Sequence, residues 1–197
     1  MDLNGATLFP GYLDAESQRN LVAILRDVAE QAPFRQYETR FGRKMSVRMT
    51  AAGEFGWISD SRGYRYAATQ PDGQPWPAIP ETLLTLWHEL ADCPRRPQCC
   101  LVNYYGDNTK MGLHQDRDEV DFSCPVLSVS LGDDALFRVG GVERGGATQS
   151  VWLKSGDVVL LSGPSRLAYH GVDRIRFGSS SLLPRNGRIN ITLRVVD

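Results

Sequence analysis

The sequence predicts a mainly β protein in which flanking helices pack on a barrel or jelly roll. Seven short β-type segments follow one another from residue 99 onward, two amphipathic helical segments precede them, and a stretch rich in Arg, Gly and aromatic residues separates the helices. Short strands at close spacing, divided by Gly, Asp and Pro, are typical of barrels and jelly rolls rather than of parallel sheets. With 197 residues, of which 42% are hydrophobic, the chain fits a single domain spanning 1–197.

The N-terminal region, residues 1–34, is expected to supply a supporting helix. Asp14 or Ser17 can cap a helix that continues to about Gln31. Apolar residues recur within it at helical spacing, which predicts one face packed on the rest of the protein. These residues are Leu21, Val22, Ile24, Leu25 and Val28.

Residues 35–70 are predicted to form hairpins or a flap. Within 35–65, seven Lys and Arg residues accompany three Asp and Glu residues, an excess of four positive charges in a chain whose net charge is −1. This asymmetry indicates either a face turned toward an anion or an exposed hairpin that carries charge for solubility. The positive residues are Arg35, Arg40, Arg43, Lys44, Arg48, Arg62 and Arg65.

A proline-rich connector then leads to a packing helix within residues 80–92, predicted from Glu81 to Ala91. His88 lies on this helix and is expected at its surface, because no other side chain there has the chemistry of a metal ligand. The β-rich core is expected to span 99–197. Its predicted strands are 99–105, 125–131, 135–139, 149–154, 157–162, 167–170 and 188–196.

Composition narrows the classes of function. The pI of about 6.3 does not predict a polyanionic partner from overall charge, so such a partner would need a local patch. The N-terminus lacks a basic start followed by an apolar run, and no stretch of about 18 apolar residues occurs, so a cytoplasmic protein without membrane association is expected. Four cysteines without CxxC spacing favour reduced thiols over a zinc site or a disulfide framework.

Two of the three histidines suggest a metal site. His114 and Asp116 are two residues apart, so on an extended chain both side chains point to one side of a sheet. Together with His170 they would form the two-His-one-carboxylate set that leaves half of an Fe(II) coordination sphere open. The HxD motif alone is weak evidence for a metal site, because this short pattern often occurs by chance.

The last predicted strand alternates strictly from Arg188 to Val195, with Arg188, Asn190, Thr192 and Arg194 on one face. Alternation alone favours a strand whose polar side faces water. In a barrel the polar side could instead face inward, where two guanidinium groups would need anionic partners such as a dicarboxylate. Asn103 and Tyr105, also two residues apart on a strand, could add an amide and a phenol to the same interior.

These positions, taken in order, resemble the AlkB family of Fe(II)/2-oxoglutarate dioxygenases. The resemblance covers roughly residues 40–197 and reaches into the predicted flap, which makes the whole set specific. The matching stretches are Met45-Ser46-Val47, Met49-Thr50, Gly56-Trp57, Gly63-Tyr64, Pro75-Trp76-Pro77-Ala78, Cys100-Leu101-Val102-Asn103, residues 113–119, residues 128–132 and residues 165–171.

The resemblance implies a double-stranded β-helix (jelly roll) core with an N-terminal nucleotide-recognition flap. It implies that His114, Asp116 and His170 bind Fe(II) and form the catalytic centre, while 2-oxoglutarate and O2 act as cosubstrates. The implied cosubstrate pocket contains Asn103, Tyr105, Arg188, Asn190 and Arg194, with Arg188 on the distal carboxylate and Arg194 nearer the metal. The implied reaction oxidises an N-methyl group, releasing formaldehyde, succinate and CO2.

The resemblance also implies residues that contact a flipped, methylated base. Trp57 would stack on the base, Asp118 would accept a hydrogen bond from its exocyclic amine, Met49 would lie beside it, and Tyr64 would contact a phosphate. Without the resemblance, packing would explain Trp57 and solvation would explain Asp118. On charge grounds, Arg48 and Arg144 are candidate phosphate partners.

The expected substrate is alkylated DNA, preferentially single-stranded, carrying 1-methyladenine or 3-methylcytosine, with RNA as a second candidate. The chain is expected to be monomeric and to need no protein partner. Three alternatives stay open: the same chemistry on RNA or a protein side chain, a nucleic-acid-binding module with an inactive iron site, and a cupin-like small-ligand or storage protein. One departure from the family is Leu160-Leu161, where a tryptophan is expected beside the iron and oxygen path.

Overall fold

A computed structural model describes residues 1–39 and 41–197. Arg40, counted above among the positive residues of the flap, lies outside the described residues. The described chain forms, in order, β1 (Asp2–Leu3), β2 (Ala6–Phe9), α1 (Ala15–Gln31), β3 (Arg48–Gly53), β4 (Gly56–Asp60), β5 (Gly63–Ala67), α2 (Glu81–Leu90), β6 (Cys99–Tyr105), β7 (Met111–His114), β8 (Val126–Gly132), β9 (Asp134–Val139), β10 (Gln149–Leu153), β11 (Val158–Leu161), a 3-10 turn (Gly163–Ser165), β12 (His170–Arg176) and β13 (Arg188–Arg194).

The strands form two antiparallel sheets that face each other. The large sheet has seven strands in the order β1-β2-β11-β8-β13-β6-β3, and the small sheet has four in the order β10-β9-β12-β7. Apolar side chains from both sheets fill the space between them, among them Leu101, Phe137 and Leu161. This arrangement confirms the predicted jelly roll. Strands β4 and β5 pair separately as a hairpin, within the region where the sequence predicts a flap.

The two helices cover the outer face of the large sheet. Asp14 caps α1 by accepting a hydrogen bond from the backbone N–H of Ser17, as one of the two predicted caps should. Leu21 and Leu25 of α1, together with Leu83 of α2, pack against sheet residues such as Ile191 in a second apolar cluster. No helix of the described residues is long and apolar enough to cross a membrane.

Some strands differ from the prediction. The N-terminal region contributes β1 and β2 to the large sheet in addition to its helix, and β3 joins that sheet although the sequence assigns it to the flap. The strand predicted at 167–170 begins only at His170, because Ala168 and Tyr169 form backbone hydrogen bonds to Ser165 and Gly141 outside the sheets.

Candidate active site

The two sheets bring the three predicted metal ligands together between them. His114 ends β7 and His170 begins β12, and these residues lie opposite each other in the antiparallel pair. One ligand atom from each of His114, Asp116 and His170 lies within 4.8 Å of the others. Asp116 lies two residues beyond the end of β7, so an irregular segment, rather than the expected strand alternation, places its carboxylate beside the imidazoles.

Backbone contacts orient both imidazoles toward the same point. Nδ1 of His114 lies 3.0 Å from the carbonyl oxygen of Gly112, and Nδ1 of His170 lies 3.0 Å from that of Ala168. In each ring these contacts leave Nε2 free, and the Nε2 atoms lie 3.6 and 3.5 Å from oxygens of Asp116. Such fixed ring orientation is typical of histidines that bind metals.

Neighbouring charges and burial hold Asp116 and His114 in the protonation states that bind a cation. Burial alone would raise the pKa of Asp116, but Arg194, 2.9 Å away, and the two histidines hold that pKa well below its ordinary value. Loss of solvent around the ring and the neighbouring His170 lower the pKa of His114, although 40% of its side chain stays exposed. An ionised carboxylate and a neutral imidazole are the forms that bind a divalent metal.

A cavity of about 360 Å³ extends from the metal ligands toward Arg188. Arg188 is buried, and the only hydrogen-bond partner of its guanidinium group among the described residues is the hydroxyl of Ser130, at 3.0 Å. Its Nε and Nη1 atoms have no partner, nor has Oδ1 of Asn103 or Oγ1 of Thr192. Burial lowers the pKa of Arg188 to about 10, which leaves it positively charged at neutral pH. A buried, unpaired guanidinium fits the distal carboxylate of a dicarboxylate such as 2-oxoglutarate.

The polar face of β13 therefore points into this cavity and not into water. Asn190, Thr192 and Arg194 line it together with Arg188, while Ile191 and its apolar neighbours face the helices. Of the two interpretations that alternation allows, the inward one is correct. Asn103 and Tyr105 of the adjacent strand β6 line the same cavity.

Comparison with known proteins identifies this combination of fold and site. The model of the 2OG-Fe(II) oxygenase superfamily matches residues 5–194. The chain is 58% identical over 191 residues to the alpha-ketoglutarate-dependent dioxygenase AlkB homolog of Caulobacter vibrioides, a match that covers 96% of the chain and 87% of that relative. The chain belongs to the AlkB family. Its AlkB relative from Escherichia coli is 40% identical over 179 residues, covering 88% of the chain and 82% of the relative.

The fold of this chain also matches a solved structure of an AlkB homolog. The structure of OsALKBH1 superimposes with a TM-score of 0.86 at 32% identity, covering 98% of this chain and 97% of that one. Like its AlkB relatives, this protein is an Fe(II)- and 2-oxoglutarate-dependent dioxygenase that uses O2 as a cosubstrate. The donor set and the unpaired guanidinium described above fit that iron and cosubstrate.

Four of the residues that the AlkB resemblance connects with a base meet at the cavity, where the exposed or half-buried Trp57, Tyr64 and Asp118 form its mouth and Met49 is buried. Trp57, Tyr64, Met49 and Asp118 all line the cavity. Nε1 of Trp57 donates a hydrogen bond to Oδ2 of Asp118 at 2.9 Å, so hairpin β4–β5 is attached to the segment that follows the metal motif. Tyr64 stacks on Trp57 with ring centroids 5.3 Å apart.

Other predicted positions do not meet there. Arg48 projects from the opposite face of β3 to Met49, and its guanidinium lies over the ring of Tyr104, 4.8 Å from the centroid. Its contact with a phosphate, predicted on charge grounds alone, stays a prediction. Arg144 is exposed and does not line the cavity. His88 is exposed on α2, as expected.

The departure from the family at Leu160-Leu161 affects the cavity through one residue only. Leu161 lines the cavity, whereas Leu160 packs on the helix side of the large sheet. The wall beside the metal ligands is therefore aliphatic at this point.

A buried polar network beside Asp116 is not apparent from the sequence. Glu119 is buried and accepts a hydrogen bond from the hydroxyl of Tyr66 on β5. Arg166 pairs with Glu119 at 3.2 Å and also donates to the carbonyl oxygen of Asp116 at 2.7 Å. Arg194 donates to Tyr66 at 3.1 Å and closes the network. Glu119 and Arg166 fall within the stretches that resemble the family, but no local pattern indicates that such charged side chains are buried.

Proposed function

We propose that this dioxygenase demethylates N-methylated bases of nucleic acid, acting on 1-methyladenine and 3-methylcytosine in DNA, preferentially single-stranded. The observation that carries the proposal is that an aromatic ring and a carboxylate, Trp57 and Asp118, are joined at the mouth of the cavity that contains the candidate metal ligands. A relative from Arabidopsis thaliana, 32% identical over 221 residues that cover 96% of this chain and 48% of that protein, bears the name DNA N(6)-methyladenine demethylase ALKBH1C.

Trp57 would form one wall of the base site. Tyr64 stacks on Trp57, and both rings line the cavity, so the indole would stack on a base that enters there. Methylation at N1 of adenine or N3 of cytosine makes the base cationic, and a cation is attracted to the π face of an indole. His114 lines the same cavity and would flank the base on its other side.

Asp118 would identify the base by its exocyclic amine. One carboxylate oxygen of Asp118 already accepts from Trp57, and the other has no protein donor among the described residues. A carboxylate accepts hydrogen bonds but cannot donate them when ionised, so it favours the amino groups of adenine and cytosine over a carbonyl. The same hydrogen bond that holds Trp57 would thus fix the plane of the base.

The lesion itself would favour entry into this site. A methyl group on the Watson–Crick edge prevents normal pairing, so the few kcal/mol that flipping usually costs are reduced. Contacts to the sugar-phosphate backbone would then hold the nucleic-acid strand without recognising its base sequence. The Tyr64 hydroxyl, exposed at the mouth, and Arg144 remain the candidates for these contacts, and affinity should fall as salt rises.

His114, Asp116 and His170 would hold Fe(II), and Arg188 would bind the distal carboxylate of 2-oxoglutarate. Bound iron, 2-oxoglutarate and O2 would supply the oxidation of the N-methyl group, with succinate and CO2 as the products of 2-oxoglutarate. The hydroxymethylated base would then lose formaldehyde. Trp57 and Asp118 would hold the methyl group toward the metal ligands. The aliphatic wall formed by Leu161 and Val159 would exclude water from the reacting carbon.

Matched substrates test this proposal and separate it from its rivals. The protein, with iron and ascorbate, is given equimolar DNA and RNA oligonucleotides of one sequence, each with a single 1-methyladenine, and an N-methylated peptide. Mass spectrometry should detect 2-oxoglutarate-dependent loss of the methyl group from DNA first. Loss from the RNA or the peptide alone would reject the DNA assignment. Binding of the oligonucleotides without any succinate, in a protein loaded with iron, would indicate a binding module.

A further inference from the structure

Two cysteines lie outside the active-site cavity, where the chain leaving α2 meets the segment that leads from Asp116 to β8. The Sγ atoms of Cys93 and Cys124 are 2.6 Å apart, closer than unbonded sulfur atoms in van der Waals contact. The two residues are 31 positions apart in the sequence, and β6 and β7 lie between them. Their proximity is therefore a product of the fold, which the cysteine spacing alone does not predict.

The four cysteines differ in access to solvent. Cys93 is partly exposed, whereas Cys124, Cys99 and Cys100 are buried. A small oxidant in solution can thus reach Cys93 first, and among the described residues the only sulfur in contact with Cys93 is that of Cys124. Burial and the contact with Cys93 raise the pKa of Cys124 to about 11, so Cys124 is a thiol at neutral pH and not the first to react.

We propose that Cys93 and Cys124 form a reversible intramolecular disulfide when the protein meets a low-molecular-weight disulfide such as oxidised glutathione. The thiolate of Cys93 attacks one sulfur of oxidised glutathione, which releases one glutathione and leaves a mixed disulfide on Cys93. The sulfur of Cys124 then attacks the Cys93 sulfur, and its proton passes to the second departing glutathione. The two protein thiols are oxidised by two electrons, and oxidised glutathione is reduced to two glutathione molecules.

The bond would stabilise the segment that carries the base and metal contacts. The carbonyl oxygen of Cys124 accepts a hydrogen bond from Nε of Arg166 at 2.8 Å, and the same guanidinium binds the carbonyl oxygen of Asp116. A disulfide at Cys124 therefore connects the end of α2 to the backbone of a metal ligand through one arginine. This inference does not depend on the substrate that the enzyme oxidises.

Thiol counting and peptide mapping test the pair directly. The native protein is incubated with oxidised glutathione, then denatured, alkylated and digested without reductant. We expect free thiols to fall from four to two, a peptide pair that contains Cys93 and Cys124, and full alkylation of Cys99 and Cys100. The melting temperature of the oxidised protein should rise by roughly 5–10 °C, because a cross-link constrains the unfolded chain, and dithiothreitol should reverse the change.

The variant Cys93→Ser supplies the matched control, since serine is close to cysteine in size and Cys93 is only partly buried at the edge of the apolar cluster. In this variant the cross-linked peptide and the oxidant-dependent rise in melting temperature should both disappear. The inference is wrong if the wild-type protein, still folded, keeps four thiols, stops at a mixed disulfide on Cys93 or joins two chains. It is equally wrong if Cys93→Ser still loses two thiols.

Discussion

At the scale of single residues, the buried charge of Arg188 supports the proposal that the cavity binds 2-oxoglutarate. It is 1% exposed, and no ion pair compensates its charge among the described residues. A buried cation without a partner costs stability, which the protein recovers only when an anion binds. Two guanidinium nitrogens have no partner among the described residues, and Arg188 lines the cavity, so we expect them to bind carboxylate oxygens of 2-oxoglutarate.

We predict that Arg188→Lys raises the KM for 2-oxoglutarate about 10- to 100-fold, because a lysine cannot offer the paired N–H groups that bind a carboxylate. Steady-state kinetics with varied 2-oxoglutarate measure this effect. The matched control is Arg185→Lys, an exposed arginine three residues earlier, which should leave the KM unchanged. Equal KM values for the two variants would remove Arg188 from the cosubstrate pocket.

Two tyrosines of β5 offer a second comparison at this scale. Tyr66 bonds to Glu119 and Arg194, whereas the hydroxyl of Tyr64 has no protein partner among the described residues. Tyr66→Phe should reduce the free energy of unfolding by about 1–3 kcal/mol, because it leaves buried charged groups without a partner. Tyr64→Phe should change it by less than about 0.5 kcal/mol.

Urea denaturation of both variants checks this pair, and oligonucleotide binding adds a reciprocal readout. Tyr64→Phe should weaken binding, since its hydroxyl is the proposed phosphate contact, without affecting the fold. If Tyr64→Phe were the more destabilising of the two, the assignment of the two hydroxyls would be reversed.

The sequence predicts the role of a site residue where side chains of unusual type recur at a recognisable spacing. A histidine two residues from an aspartate, and two arginines on one face of a strand, are visible as patterns. The roles of Glu119 and Arg166 were not predicted, because a charged residue in a polar stretch has the same local sequence whether it is buried or solvated. Only the tertiary structure shows that Glu119 has Tyr66, Arg166 and Arg194 around it.

At the scale of elements, the pairing of β7 with β12 determines the distance between the two histidines. Their register shifts between His170 and Val172, so Gly171 lies beside an irregular part of β7. A Cβ atom at Gly171 would lie 2.6 Å from the carbonyl oxygen of Met111 and 2.9 Å from that of Gly112. Backbone atoms cannot rotate away, so only glycine allows this close approach.

We predict that Gly171→Ala lowers the affinity for a divalent metal about 10- to 100-fold by separating β7 from β12, and with them His114 from His170. Titration with Mn(II) by calorimetry measures the loss. Gly112→Ala is the control on the facing strand, where a Cβ atom would meet nothing within 4 Å, and it should bind Mn(II) like the wild type. Unchanged affinity in Gly171→Ala would contradict this role of the strand pair.

Sequence periodicity predicted long elements better than short ones. Helix α1 and strand β13 match their predicted positions closely, because each has an apolar face with many repeats. Strand β7, only four residues of the sequence Met-Gly-Leu-His, has too few positions to show alternation and was not predicted. Strand β12 begins at the residue where the predicted strand ends, because Ala168 and Tyr169 form backbone hydrogen bonds to Ser165 and Gly141 and do not pair in a sheet.

At the scale of the whole molecule, the site is a junction of both sheets and the hairpin. The large sheet contributes the polar face of β13, the small sheet contributes the histidines, and hairpin β4–β5 contributes Trp57 and Tyr64. Ligands bound there should therefore stabilise the entire fold by mass action, because they bind only the folded chain. The jelly roll and its cavity were predictable from strand spacing and family resemblance, but the position of β3 in the large sheet was not.

We predict that saturating Mn(II) and 2-oxoglutarate together raise the melting temperature by about 5–10 °C, and that EDTA abolishes the rise. Differential scanning fluorimetry gives the measurement. With Mn(II) present, 2-oxobutyrate, which lacks the distal carboxylate, should stabilise far less, because it leaves Arg188 unpaired. Equal stabilisation by both ligands would mean that the distal carboxylate is not bound at Arg188.

We propose above that this dioxygenase couples consumption of 2-oxoglutarate to demethylation of a nucleic-acid base. One aerobic reaction tests this coupling: the protein receives iron, ascorbate, 2-oxoglutarate and a single-stranded DNA oligonucleotide that carries one 1-methyladenine. Succinate, formaldehyde and demethylated oligonucleotide are then quantified together. We predict that the three products rise in equal amounts with the wild-type protein and are all absent with His114→Ala. Succinate formed by the wild-type protein without formaldehyde or loss of the methyl group would contradict the claim.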